Sequence, residues 1–108
     1  MQWIERIRGC FEGDRVYYTN HAKVEMETEE FGPILDSEIY EAICAGEVIE
    51  EYPDDAPYPS VLVFGLTGVG RPLHVVCAYN GEEERTIVVT AYQPDPERWV
   101  DYRKRRPR

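Results

Sequence analysis

Three cysteines in 108 residues, at positions 10, 44 and 77, are too few and too far apart for a disulfide framework or a Cys-x-x-Cys zinc site. Free thiols are expected, and with them a reducing, cytoplasmic setting. Long apolar runs are missing too. Nothing approaches the roughly 20 residues that span a bilayer, so no membrane partner is expected. Glu5, Arg6 and Arg8 interrupt the stretch that a signal peptide's apolar segment would use. Histidine is scarce, with only His21 and His74. Basic residues are scarce everywhere but at one end. Five of the twelve are Arg103, Lys104, Arg105, Arg106 and Arg108, which leaves seven against twenty-one acidic residues in the body. An acidic body repels bulk nucleic acid. The basic end suits phosphates, or an acidic patch on a partner or on the body itself, although most such ends are simply solvated.

What is present is enough for one globular domain, over residues 1–102, with a basic tail at 103–108. No repeat or low-complexity segment occurs apart from that tail. Trp3, Ile7, Cys10 and Phe11 have helical spacing, closed by Gly13. Val16-Tyr-Tyr-Thr19 is a short extended entry, and Thr19 or Asn20 caps a second helix running towards Glu30. Asp36 starts a third, with Ile39, Tyr40 and Ile43 on its buried stripe and Gly46 after its end. Four strands follow, at about 47–52, 60–66, 71–79 and 85–92, rich in β-branched and aromatic residues. Asp95 and Pro96 open a short C-terminal helix reaching Tyr102. The expected fold is α+β: N-terminal helices packed on one face of a four-stranded antiparallel sheet, with the other face left for partners or substrate.

The hairpin formed by residues 71–79 and 85–92 organises the rest. A two-residue Asn-Gly turn would set Glu82 and Glu84 against an apolar face. A five-residue loop pairs Tyr79 with Arg85 instead, and Leu73, Val75 and Cys77 then oppose Ala91, Val89 and Ile87. In that register His74 faces Thr90 and Pro72 faces Tyr92, at Cβ separations of roughly 4.5–5.5 Å. An imidazole, a hydroxyl and a phenol share one face, with Arg71 at its mouth. The plainer reading, a hydrogen-bonded sheet histidine, stands beside it.

Other motifs carry less. His21 and Glu25 lie one helical turn apart and with His74 could hold a divalent metal, but no third ligand is fixed locally and no cofactor is expected. Thr67-Gly-Val-Gly-Arg71 lies between two strands and reads as a turn, not a phosphate loop. Glu50, Glu51, Asp54 and Asp55 read as a solvated strand end.

Thr19-Asn-His-Ala22 with Met26, Gly46-Glu47, Tyr52-Pro53, Pro59-Ser60, Gly70-Arg-Pro-Leu-His-Val-Val76, Thr90-Ala-Tyr92 and Pro94-Asp-Pro96 with Trp99 form a series. In order and content it resembles the bacterial domain-of-unknown-function 4258 (DUF4258) family over roughly residues 17 to 105. That family is usually grouped with RelE-like and BrnT-like toxins, often encoded beside a small zinc-finger antitoxin. The resemblance implies a RelE/ParE-toxin-like fold, a cognate antitoxin as partner and metal-independent RNA cleavage by 2′-hydroxyl attack. It implies His74 as base or acid, Arg71 as the stabilising cation, Tyr92 as second proton carrier, Thr90 orienting His74, and His21 joining from its helix. Arg103, Lys104, Arg105 and Arg106 would grip RNA. Two features favour a non-catalytic module that holds a protein partner through the open sheet face or the tail. The body is acidic, and Glu-Thr-Glu-Glu follows Met26 where the resemblance implies an arginine.

Overall fold

Helical spacing at the N-terminus does become helix: α1 (Trp3–Glu12), in a computed structural model that describes residues 2–107. It turns Ile7 and Cys10 inward, and the Gly13 N–H closes it on the Gly9 carbonyl at 3.0 Å. After β1 (Val16–Tyr18), the Thr19 hydroxyl accepts from the Ala22 N–H at 3.0 Å and caps α2 (Asn20–Glu27). Helix α3 (Asp36–Cys44) is capped one residue earlier than expected, at Leu35, whose N–H donates to the Glu38 carboxylate at 3.0 Å. Strands β2 (Glu47–Tyr52), β3 (Ser60–Leu66), β4 (Pro72–Asn80) and β5 (Arg85–Tyr92) complete the body.

The helices pack on one face of the sheet. Ile7, Ala22, Met26, Ile39, Ala42 and Ile43 meet Val61, Val63, Leu73, Val75, Cys77, Val88 and Ala91 in one core. Gly65 brings β3 directly against the Ala42 backbone of α3, so the two layers touch without a side chain between them. The three cysteines are free thiols, Cys10 and Cys77 in the interior and Cys44 exposed.

Four expectations need correcting. The sheet has five strands and is mixed, in the order β1-β5-β4-β3-β2, because β1 runs parallel to β5. Val16 and Tyr18 pack on the core, and that burial holds the short segment along the β5 edge. Arg15 and Thr19 extend the ladder at either end: the Arg15 carbonyl accepts from Thr86 and the Thr19 N–H donates to Val88, both at 3.1 Å.

The hairpin register is also different. Asn80 pairs with Arg85, so Gly81–Glu84 form the loop. Asn80 stays in the strand because its amide is fully used: Oδ1 accepts from Glu82 and Glu83 at 3.1 and 3.2 Å, and Nδ2 donates to the Tyr58 hydroxyl at 3.0 Å. A one-residue slip would turn Ala91 outward, and a bulge at Val89 restores it. Beyond the bulge His74 faces Tyr92, and Val76, not His74, faces Thr90.

In place of the C-terminal helix, the chain makes one turn after Asp95 and then a small hairpin, β6 (Trp99–Val100) and β7 (Lys104–Arg105). Asp101 and Tyr102 have positive φ, which no helix allows, and burying Trp99 against the sheet decides the matter. That hairpin lies over the second sheet face, which is therefore not left open around His74.

Helix α2 has a second task. Where β1 stops, the exposed edge of β5 is closed by carboxylates: Glu25 accepts from the Ala91 N–H at 2.8 Å and from the Thr90 hydroxyl, and Glu29 accepts from the Gln93 N–H at 3.3 Å. Removing two bonds to a charged acceptor costs about 2–3 kcal/mol. Glu25→Ala is expected to lower the urea midpoint accordingly with the slope unchanged, and Glu27→Ala, on an exposed neighbour, is expected to leave it in place.

Candidate functional site

Strand register sets a row of side chains across the outer face: Tyr92 on β5, His74 on β4, Phe64 on β3 and Glu47 on β2. The next row is Thr90, Val76, Leu62 and Glu50. The C-terminal hairpin folds back over both rows. The Trp99 ring stands edge-on to His74, 4.4 Å between centroids, and the hairpin shuts His74 away from water completely, at 0% exposure.

Both imidazole nitrogens are used inside the chain. Nε2 lies 2.6 Å from the Tyr102 carbonyl, which can only accept, so Nε2 carries the proton. Nδ1 then accepts from the Tyr92 hydroxyl at 3.1 Å. Burial holds the His74 pKa below its usual 6.5, while the Tyr102 carbonyl and the Glu50 charge work against that shift. Burial also pushes the Tyr92 phenol up to about 12. The pair is therefore neutral at pH 7.

Two ion pairs fasten the hairpin to the strand β2. Arg103 holds Glu47 with its guanidinium 4.8 Å over Phe64. Arg105 binds both oxygens of Glu50 at 2.9 and 3.1 Å and lies 4.7 Å over Trp99. Burial alone would raise the Glu50 pKa, but the bonds from Arg105 and Tyr52 outweigh it and hold the carboxyl below its usual value. The same pairing raises the Arg105 pKa.

Beside this cluster opens a cleft of about 900 Å³. Phe31 and Tyr92 line it together with Glu30, Arg98, Arg105 and Arg106. Its size is that of a small-ligand or peptide site, and its lining carries both signs of charge.

The five residues expected at one catalytic face fall into three places. His74 and Tyr92 are together. Thr90 is not beside them; its hydroxyl donates to Glu25, with His21 Nε2 3.5 Å away and 3.9 Å from the same carboxylate. Arg71 is elsewhere and fully occupied. It binds Glu38 at 3.2 Å, the carbonyls of Pro33 and Gly32, and Gln93 Oε1 at 2.8 Å. Its nearest link to the pair is thus the residue after Tyr92. Among the described residues, no group of three or more His, Cys, Asp or Glu side chains is arranged to hold a metal.

Of the tail, Arg103 and Arg105 are engaged with the body, and Arg106 donates to the Pro96 carbonyl at 2.9 Å while lining the cleft. Glu50, expected at a solvated strand end, is instead bound by Arg105 and three-quarters buried, and Phe64, Trp99 and Tyr102 carried no expectation of a place in the site. A signal existed: an Arg-x-Arg at the end of the chain and a Glu-x-x-Glu strand are complementary, with the Trp99 and Tyr102 aromatics just ahead of the arginines.

One family model, described as a domain of unknown function (DUF4258), matches residues 18–93. No curated protein and no solved structure matches.

Proposed function

The chain belongs to the DUF4258 family, and from that premise we propose that it is a binding module of RelE-like build that holds a protein partner without cleaving RNA. A zinc-finger antitoxin is the partner that the resemblance implies. One observation carries this reading. His74, the imidazole that the cleavage chemistry needs, has no exposed surface and both nitrogens bonded within the chain. A general base must reach the proton it removes, directly or through one water. The surface left for a partner is the cleft, lined by both signs of charge, and the outward side of the tail.

A second reading keeps the toxin's chemistry: a metal-independent RNA endonuclease in which a ribose 2′-hydroxyl attacks the adjacent phosphate. What favours it is Tyr92, which lines the cleft beside Arg105 and Arg106 and touches His74. With its pKa near 12, Tyr92 keeps its proton at neutral pH and suits the acid's part, protonating the leaving 5′-oxygen.

Tyr92→Phe separates the two, since it removes one hydroxyl and keeps the ring. The module reading expects no growth arrest and no RNA cleavage from either chain. It also expects the small zinc-finger protein encoded beside family members, when co-expressed, to co-purify equally with both. Growth arrest by the unaltered chain that falls at least 100-fold in RNA cleavage on Tyr92→Phe is the outcome the endonuclease reading requires.

A further inference from the structure

The C-terminal hairpin has the construction of a closure. It consists of two strands of two residues each, joined by a turn in which Asp101 and Tyr102 both take positive φ, 52° and 61°. Left-handed backbone is unfavourable for residues that carry a Cβ, and glycine is the usual occupant of such turns. The turn is nevertheless required, because it aims the Tyr102 carbonyl at His74 Nε2.

Trp99 is buried against the sheet, and the rest of the hold is electrostatic and largely wet. The side chains of Arg103 and Glu47 are 54% and 51% exposed, and that of Arg105 is 63% exposed. Exposed ion pairs are weak and screened by salt. The body beneath has its own core on the other face of the sheet, and that core includes no residue of the hairpin. The segment that leads to the hairpin carries two prolines, Pro94 and Pro96, and adds no strand to the sheet.

We propose that residues 99–106 are a detachable strap, which lifts from the sheet as a local event far short of unfolding and so governs access to His74. Lifting it uncovers Phe64 and His74 and releases Glu47 and Glu50, giving an aromatic face with an acidic rim. A group from solvent or from a partner reaches His74 only through this open state. The proposal is independent of whether the chain cleaves RNA, since it concerns only what stands between His74 and water.

The two histidines supply the test. The His21 side chain is 71% exposed and His74 has no exposed surface, so diethylpyrocarbonate at pH 7 reports on both in one sample. Mass spectrometry of the full chain is expected to show His74 modified at least tenfold more slowly than His21. Its rate is expected to rise about three- to tenfold between 0.05 and 1 M salt, and by a similar factor in Arg105→Gln or Arg103→Gln. The His21 rate and the exchange of the Val75 backbone N–H, deep in the core, are expected to stay unchanged. The strap is overturned if His74 reacts only as fast as Val75 exchanges, or if salt and both substitutions leave its rate relative to His21 unaltered. Should a variant fold poorly, the salt series on the unaltered chain decides by itself.

Discussion

Gly65→Ala is expected to be the most damaging single methyl in this protein. A Cβ at position 65 would fall on the Ala42 carbonyl, 2.6 Å from its carbon and 2.9 Å from the Ala42 Cα. The obstacle is backbone on a buried helix, not the end of a flexible side chain, so relief requires α3 to back away from β3. Inserting a methyl into a packed core costs roughly 1–3 kcal/mol, and more where the backbone has to move. For a domain of this size about 3 kcal/mol lowers the melting midpoint by roughly 12–20 °C. Calorimetry or thermal circular dichroism checks this. A control is Gly9→Ala on α1, where an added Cβ meets nothing within 4 Å and alanine favours helix. That variant is expected to melt at or slightly above the unaltered chain.

His74→Ala is expected to destabilise by about 3–5 kcal/mol, for two reasons that add. It leaves a cavity under Trp99, Phe64 and Tyr92, and it strips the Tyr102 carbonyl and the Tyr92 hydroxyl of their partner. Loss of activity or partner binding in this variant therefore says nothing about chemistry until its fold is measured.

His74→Gln, which keeps a donor and an acceptor, has a milder cost and a different signature against pH. The His74 pKa in the folded protein lies below its unfolded value of 6.5. Below about pH 6.5 the unfolded chain takes up a proton that the folded chain resists. The stability held above pH 6.5 is thus lost as pH falls through the folded pKa. Urea titrations of the unaltered chain are expected to show that loss as pH falls below about 6.5, and His74→Gln is expected to flatten it. A profile identical in the two proteins would place the acid sensitivity on other groups.

Much of the fold is legible in the sequence, and what escaped did so for identifiable reasons. The three helices announce themselves through apolar spacing and caps, and β2 to β5 through β-branched runs. β1 reads as extended but not as a member of the sheet, because three residues carry little periodicity and its partner is remote along the chain. The hairpin register was misjudged by treating Asn80 as turn residue. Its side chain serves the loop while its backbone stays in the ladder. The β4 half of the apolar face is as expected, with Leu73, Val75 and Cys77 in the core, but on β5 Val88 joins Ala91 there in place of Ile87 and Val89. The bulge at Val89 moved Thr90 away from His74 and set Tyr92 there. Asp-Pro-Glu is a sound helix start, but propensity over one turn is outweighed by the burial of Trp99. Charge alone cannot say whether arginines at a chain end seek a partner or their own body. Only the fold places Glu47 and Glu50 beneath them.

The parallel pairing of β1 with β5 also sets an order of events. Val16 leaves the ribosome long before Thr86, the residue it lies beside, so the first strand made must wait for the last large one before it has a neighbour. Contacts that join distant parts of a chain form slowly, because a long loop has to be closed first. During synthesis the N-terminal segment, with Val16 and Tyr18 still uncovered, stays a nascent stretch in need of shelter until the sheet is almost complete.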